Sequence, residues 1–173
     1  MLLSYEEACF YYLLLKTGYT KEVDEWIDGI AYNNETLEDI NLELVYKQSN
    51  TNELISCLYN YINEQKMDDK LICEKLRLFI KQKLDNNEIT IEEAANSLCS
   101  FSLGNGDINA PYWIDFYMVS VYGEYVDSTL LEKTKYHAIV RQFVNTGNKL
   151  DSNDFWNERD KKYKAYKASK KKD

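Results

Sequence analysis

Residues 4–18 read SYEEACFYYLLLKTG, and this stretch predicts the first element of the fold, an α-helix. Ser4 is followed three residues later by Glu7. This is the spacing of a capping box, in which the two side chains accept hydrogen bonds from unpaired backbone N–H groups at a helix N-terminus. Gly18 offers a left-handed stop after the apolar run. We therefore expect a helix over about residues 5–17, largely buried because its apolar residues cover more than one face.

The same pattern continues along all 173 residues. Apolar residues return at intervals of three and four, proline occurs once, and β-branched runs are short, which is typical of an all-helical chain. A second capping box joins Thr90 to Glu93, and Asp68 or Asp69 is expected to begin another helix. We predict an all-α fold of eight or nine helices, either an antiparallel multi-helix bundle or a short irregular stack of helix pairs.

Further boundaries are predicted from single residues. The glycines of the loop at 104–107 and Gly123 are expected to end two helices, and Asp127 or Ser128 is expected to cap the next. Residues 1–155 are predicted to form a single helical domain. Residues 156–173 are predicted to form a basic C-terminal helix or a frayed tail.

Several features predict a cytoplasmic protein. Glu6 and Glu7 stand where a signal peptide would carry its basic region, and no stretch reaches the roughly 18 apolar residues that cross a bilayer. The cysteines form no C-x-x-C pair and have apolar neighbours. We expect all four to be reduced and structural: Cys9, Cys57, Cys73 and Cys99.

The residues needed for several kinds of catalysis are missing. His137 is the only histidine, which argues against a zinc site and against histidine-based nucleophilic catalysis. No glycine-rich phosphate-binding motif occurs. We expect no metal, no cofactor and no enzymatic activity. Acidic residues are plentiful, so a carboxylate-based hydrolase stays open as an alternative.

Charge is distributed unevenly. The net charge is −8, yet residues 22–46 hold eight acids and residues 84–132 hold nine acids without one Lys or Arg. Solvated helix faces usually mix both signs, because oppositely charged pairs at four-residue spacing are stabilising. The two segments therefore predict an acidic surface that attracts a basic protein partner, with an ordinary acidic, solvated surface as the alternative.

Aromatic residues lie within the same two segments. Trp26 and Trp113 follow apolar stripes and are expected in the core, whereas most of the tyrosines are candidates for the surface, where tyrosine is favoured at binding sites. The predicted partner-binding residues are Asp24, Glu25, Asp28, Tyr32, Glu35, Glu38, Asp39, Glu43, Asp107, Tyr112, Asp115 and Tyr122.

The C-terminal residues have the opposite charge. Residues 156–173 hold eight bases and three acids. Contact of this segment with nucleic acid or with a membrane surface would be opposed by the acidic remainder of the chain, so we expect neither partner.

The chain resembles the small acidic all-α immunity proteins that bacteria make against their own nuclease or other polymorphic toxins. The resemblance is one of character, carried by the acidic residues 22–46 with Trp26 and Tyr32 and by residues 107–127 with Tyr112 and Tyr117. It implies an inhibitor that binds a basic toxin stoichiometrically and keeps the substrate out of the toxin's groove. A helical scaffold or adaptor protein is the alternative, and the oligomeric state is left open.

Overall fold

The computed structural model describes residues 3–33, 39–63, 68–105, 111–127 and 131–147, together with Lys161 and Lys164. Within these ranges 84% of the residues are helical and no strand occurs, which confirms the predicted all-α class. The predicted helix or tail at 156–173 lies almost entirely outside the described residues. The helices are α1 (Tyr5–Lys16), α2 (Thr20–Asn33), α3 (Asp39–Lys47), α4 (Thr51–Ile62), α5 (Asp69–Asp85), α6 (Ile91–Asn105), α7 (Trp113–Asp127) and α8 (Lys133–Thr146).

Three predicted helix starts are confirmed by their capping bonds. The Ser4 side chain accepts a hydrogen bond from the Glu7 backbone N–H at 3.1 Å, and Asp68 caps α5 in the same manner. The box at α6 is reciprocal: the Thr90 N–H donates to the Glu93 carboxylate at 2.7 Å, while the Glu93 N–H donates to the Thr90 hydroxyl at 3.2 Å. These bonds satisfy N–H groups that a helix leaves unpaired.

One predicted helix stop is confirmed and one is wrong. Helix α6 ends at Asn105, within the predicted loop 104–107, whereas α7 continues through Gly123 to Asp127. A Cβ atom at Gly104 would lie 3.0 Å from Leu13 Cδ2, and one at Gly123 would lie 3.1 Å from the Tyr136 hydroxyl. Both glycines thus allow a neighbouring helix to approach closely, and Gly123 does not end its own helix.

The predicted cap of α8 is also wrong. Asp127 is the last residue of α7, and α8 begins only at Lys133. Its N-cap is Glu132, whose side chain makes no capping bond. The sequence signal was misread because an acidic residue at a helix end looks the same in sequence whether it closes one helix or opens the next.

Helix α1 lies at the centre of the bundle. It packs against α2, α4, α5 and α6, and half of its twelve residues are buried. Helix α3 packs on α2 and α4 at one edge, whereas α7 packs on α6 and α8 at the other. The edge position of α3 leaves its outer side, and the adjoining side of α2, facing solvent.

The core is made of aliphatic and aromatic side chains from every helix. Leu13, Ile80, Leu98 and Trp113 have no exposed surface, which confirms the prediction for Trp113. Trp26 lies at the edge of the core, half-buried, and stacks on Tyr11 with 3.8 Å between the ring centroids. All four cysteines are free thiols. No helix in the described part of the chain is long and apolar enough to span a membrane.

Candidate partner-binding face

The outer sides of α2 and α3 form one continuous surface, which we call the α2–α3 face. Its members are exposed side chains of two kinds, acidic and aromatic or aliphatic: Asp24, Glu25, Asp28 and Tyr32 on α2, and Leu42, Glu43 and Tyr46 on α3.

Helical periodicity places the acids of α2 outward. Val23 and Ile27 are fully buried against the bundle, so Asp24, Glu25 and Asp28 point to the opposite side and are exposed. One turn beyond Asp28, the Tyr32 side chain is 91% exposed. The predicted orientation of this helix is therefore confirmed.

Helix α3 contributes residues that the sequence analysis only partly identified. Leu44 is fully buried, while Tyr46 is 78% exposed and Leu42 is 41% exposed. Leu42 was not among the predicted site residues. Its spacing of four from Tyr46 was the available signal, because residues four apart lie on the same side of a helix.

Gln48 fixes α3 to α2. Its side-chain amide donates to the Asp28 carboxylate at 2.8 Å and to the backbone carbonyl of Asp24 at 3.3 Å. These two bonds hold the end of α3 beside the acidic side of α2. The exposed sides of the two helices therefore adjoin.

The negative charge of residues 22–46 is partly neutralised by bases at its edges. Lys21 lies 3.6 Å from Glu25, and Lys47 lies 2.5 Å from Glu43. The hydrogen bond from Lys47 lowers the pKa of Glu43, so this acid stays charged. Gln48, which carries no charge, donates to the Asp28 carboxylate and to the backbone carbonyl of Asp24, and both acidic side chains are exposed.

Three acids of the second base-free segment are also paired with bases. Asp85 is bonded to Lys81, and Glu88 lies 2.5 Å from Lys83. Glu92 contacts Lys133 and His137 of α8, as described below. A segment that contains no Lys or Arg can therefore still have acids that are paired with bases from other parts of the chain.

Glu92 joins α6 to α8. Its Oε1 atom lies 2.8 Å from Lys133 Nζ and 3.0 Å from His137 Nε2, and these hydrogen bonds lower the pKa of Glu92 to about 2. Glu92 and Glu124 also line a cavity of about 370 Å³. A general acid needs a raised pKa, whereas Glu92 is held as an anion, so its role here is to fix the two helices.

Two residues predicted in the second segment, Tyr112 and Asp115, lie together. They line a cavity of about 120 Å³ with Glu74 and Arg77. The guanidinium of Arg77 donates to both Glu74 carboxylate oxygens and to the Val144 carbonyl, and the bond to Arg77 lowers the pKa of Glu74. The positive charge of Arg77 and the negative charge of Glu74 therefore balance each other on this side of the cavity.

The prediction of a surface position for Tyr122 is wrong. Its side chain is 2% exposed. Helix α7 packs on both α6 and α8, so its buried side is wide and runs through Trp113, Phe116, Val119 and Tyr122. Four predicted site residues lie outside the described part of the chain in whole or in their side chains: Glu35, Glu38, Asp39 and Asp107.

No group of three or more His, Cys, Asp or Glu within the described ranges is arranged to hold a metal ion. Comparison of the chain with protein-family models, with curated proteins and with solved structures gave no match.

Proposed function

We propose that this chain is a non-catalytic protein-binding module, an immunity or inhibitor protein that neutralises a basic, nuclease-like bacterial toxin in the cytoplasm. The α2–α3 face is the surface that binds the toxin. One observation carries the proposal: exposed acids and highly exposed tyrosines occupy the same side of two adjoining helices.

The two residue types contribute to binding in different ways. Asp24, Glu25 and Asp28 produce a negative field, which accelerates the encounter with a basic protein and disfavours acidic ones. Tyr32 and Tyr46 provide aromatic area with few rotatable bonds, which is typical of the residues that dominate binding energy. A face with both properties supports fast association and slow release.

Inhibition would follow from occupancy alone. A basic nucleic-acid groove attracts an acidic surface by the same charges that attract phosphate groups. A protein seated on or beside that groove keeps the nucleic acid out without any chemical step.

The first partner to test is the product of the adjacent upstream reading frame, if it ends in a variable, toxin-like domain. We expect this chain to bind that domain stoichiometrically and to abolish its toxicity on co-expression. Absence of both binding and protection would contradict the proposal.

Charge reversal then locates the surface. Replacing Asp24, Glu25 and Asp28 by Lys should slow association by about tenfold or more at low salt while leaving folding nearly unchanged. The control carries the same charge change outside the α2–α3 face, with Lys at Asp85 at the end of α5, at Glu124 on α7 and at Glu132 just before α8. Equal slowing in both variants would show that net charge, and not the α2–α3 face, governs binding. An unaltered rate in the first variant would favour the scaffold alternative.

A further inference from the structure

The α2–α3 face contains an apolar strip that acids border. Leu42 and Tyr46 are one helical turn apart, and they lie only about 40° apart around the axis of α3. Both are exposed, although Leu44 on the same helix is fully buried. The strip therefore faces solvent and is not the edge of the core.

Two contacts show what lies on either side of the strip. The Glu43 carboxylate turns toward α4, where it accepts a hydrogen bond from Cys57 Sγ at 3.6 Å. On the other side Gln48 reaches Asp28 of α2. Leu42 and Tyr46 thus lie between Glu43 on one side and Asp28 of α2 on the other.

This arrangement selects one kind of binding element. Lys47 already pairs with Glu43, so the negative charge available to a partner lies on the α2 side of the strip. An apolar strip with acids along one side is complementary to an amphipathic helix that carries Lys or Arg beside its apolar side. Addition of an extended strand would need an exposed sheet edge, which the described helices do not offer. Helix α2, with 14 residues, is about 21 Å long and can align with some four turns of such a helix.

Another exposed apolar pair has a border of mixed charge. Leu71 and Leu78 lie two turns apart on α5, where the exposed neighbours are the bases Lys70 and Lys75 and the acid Glu74, which pairs with Arg77. Its border therefore lacks the excess of acids that α2 provides beside Leu42 and Tyr46.

We infer that the α2–α3 face binds a basic amphipathic helix of its partner. The apolar side of that helix packs on Leu42 and Tyr46, and its Lys or Arg residues lie beside Asp24 and Asp28. The inference rests on the proposed function, because it specifies which element of a basic partner the face takes.

The test uses two synthetic peptides of about 18 residues, or five helical turns. One places Leu on one side of a helix and Lys and Arg on the rest, and the other has the same composition in an order that removes the helical periodicity. We expect the ordered peptide to bind the full chain about tenfold or more tightly than the shuffled one, as judged by titration calorimetry at low salt.

Variants of the full chain then locate the binding. The double variant Leu42→Asn, Tyr46→Ser should lose the preference for the ordered peptide. The control, Leu78→Asn with Tyr59→Ser, changes a leucine and a tyrosine that are 48% and 49% exposed on α5 and α4, and it should keep this preference. Circular dichroism checks that both variants remain folded.

Three results would overturn the inference. Equal binding of both peptides would be consistent with the acidic attraction of the proposed function, but it would show that the face does not require an amphipathic helix in its partner. Binding of neither peptide would also exclude it, while the toxin experiment would still test the function separately. A control variant as impaired as the first would place the helix elsewhere on the molecule.

Discussion

The ammonium group of Lys83 lies 2.5 Å from a carboxylate oxygen of Glu22 and so joins α5 to the first turn of α2. The same lysine also lies 2.5 Å from Glu88. Both hydrogen bonds raise the pKa of Lys83. The acid that begins the first base-free segment is therefore neutralised by a base from a distant part of the sequence.

Replacing Lys83 by Met should lower the free energy of unfolding by about 1 kcal/mol, because it leaves two acids without their partner at a partly buried helix contact. The control is Lys81→Met, which breaks the more exposed pair with Asp85 within α5 and should cost clearly less. Urea unfolding of both variants measures the difference. Equal losses would show that the contact between helices adds nothing to a surface pair.

Replacing Glu92 by Gln should make stability less dependent on pH in the acid range. The pKa of Glu92 in the folded chain is lowered from 4.5 to about 2, so its contribution to stability is fully present above about pH 4.5 and is lost as the pH falls toward about 2. At pH 7 we expect a loss of about 1 kcal/mol or less, because the group is partly exposed.

Unfolding of the chain and the Glu92→Gln variant across this pH range measures the effect. The two stabilities should converge near pH 2. A constant difference down to that pH would contradict the assigned ion pairs with Lys133 and His137.

Gly147 should be sensitive to substitution. It ends α8 with φ +64°, and a Cβ atom there would lie 2.9 Å from Arg77 Nε. Gly147→Ala should therefore destabilise the chain by about 1–2 kcal/mol through backbone strain alone. The control is Gly29→Ala within α2, where no atom lies within 4 Å of the added Cβ. That variant should be stabilised by about 0.5–1 kcal/mol. Thermal unfolding should therefore give a lower melting temperature for Gly147→Ala and a higher one for Gly29→Ala.

The four thiols should react at different rates with a disulfide reagent at pH 8. Burial raises the pKa of Cys9 to about 12 and that of Cys57 to about 11, and it also raises the pKa of Cys73. Cys99 is partly exposed and should react first. Denaturation without reductant should release all four thiols at once. Fewer than four would indicate a disulfide.

The local features of the fold could be predicted from the sequence. The capping bonds of Ser4, Asp68 and Thr90 depend on residues within one helical turn, so their spacing alone identified three helix starts. The outward position of Asp24, Glu25 and Asp28 followed from the periodicity of Val23 and Ile27. Helix class and the orientation of α2 are short-range properties, and the sequence contains the whole of that information.

Tertiary packing decided everything that depends on distant neighbours. Gly123 was predicted to end a helix, but α7 continues through it, and the missing side chain makes room for Tyr136 of α8. Tyr122 was predicted at the surface, but it is buried because α7 packs on both α6 and α8.

The same holds for charge. Residues 84–132 contain no base, yet Lys133 neutralises Glu92, and Lys83 neutralises Glu22 and Glu88. The sequence by itself determined how many charges the chain carries and on which side of each helix they lie. Only the tertiary structure decided which of them face solvent unpaired, because ion pairing falls off over a few ångströms and the helices set those distances.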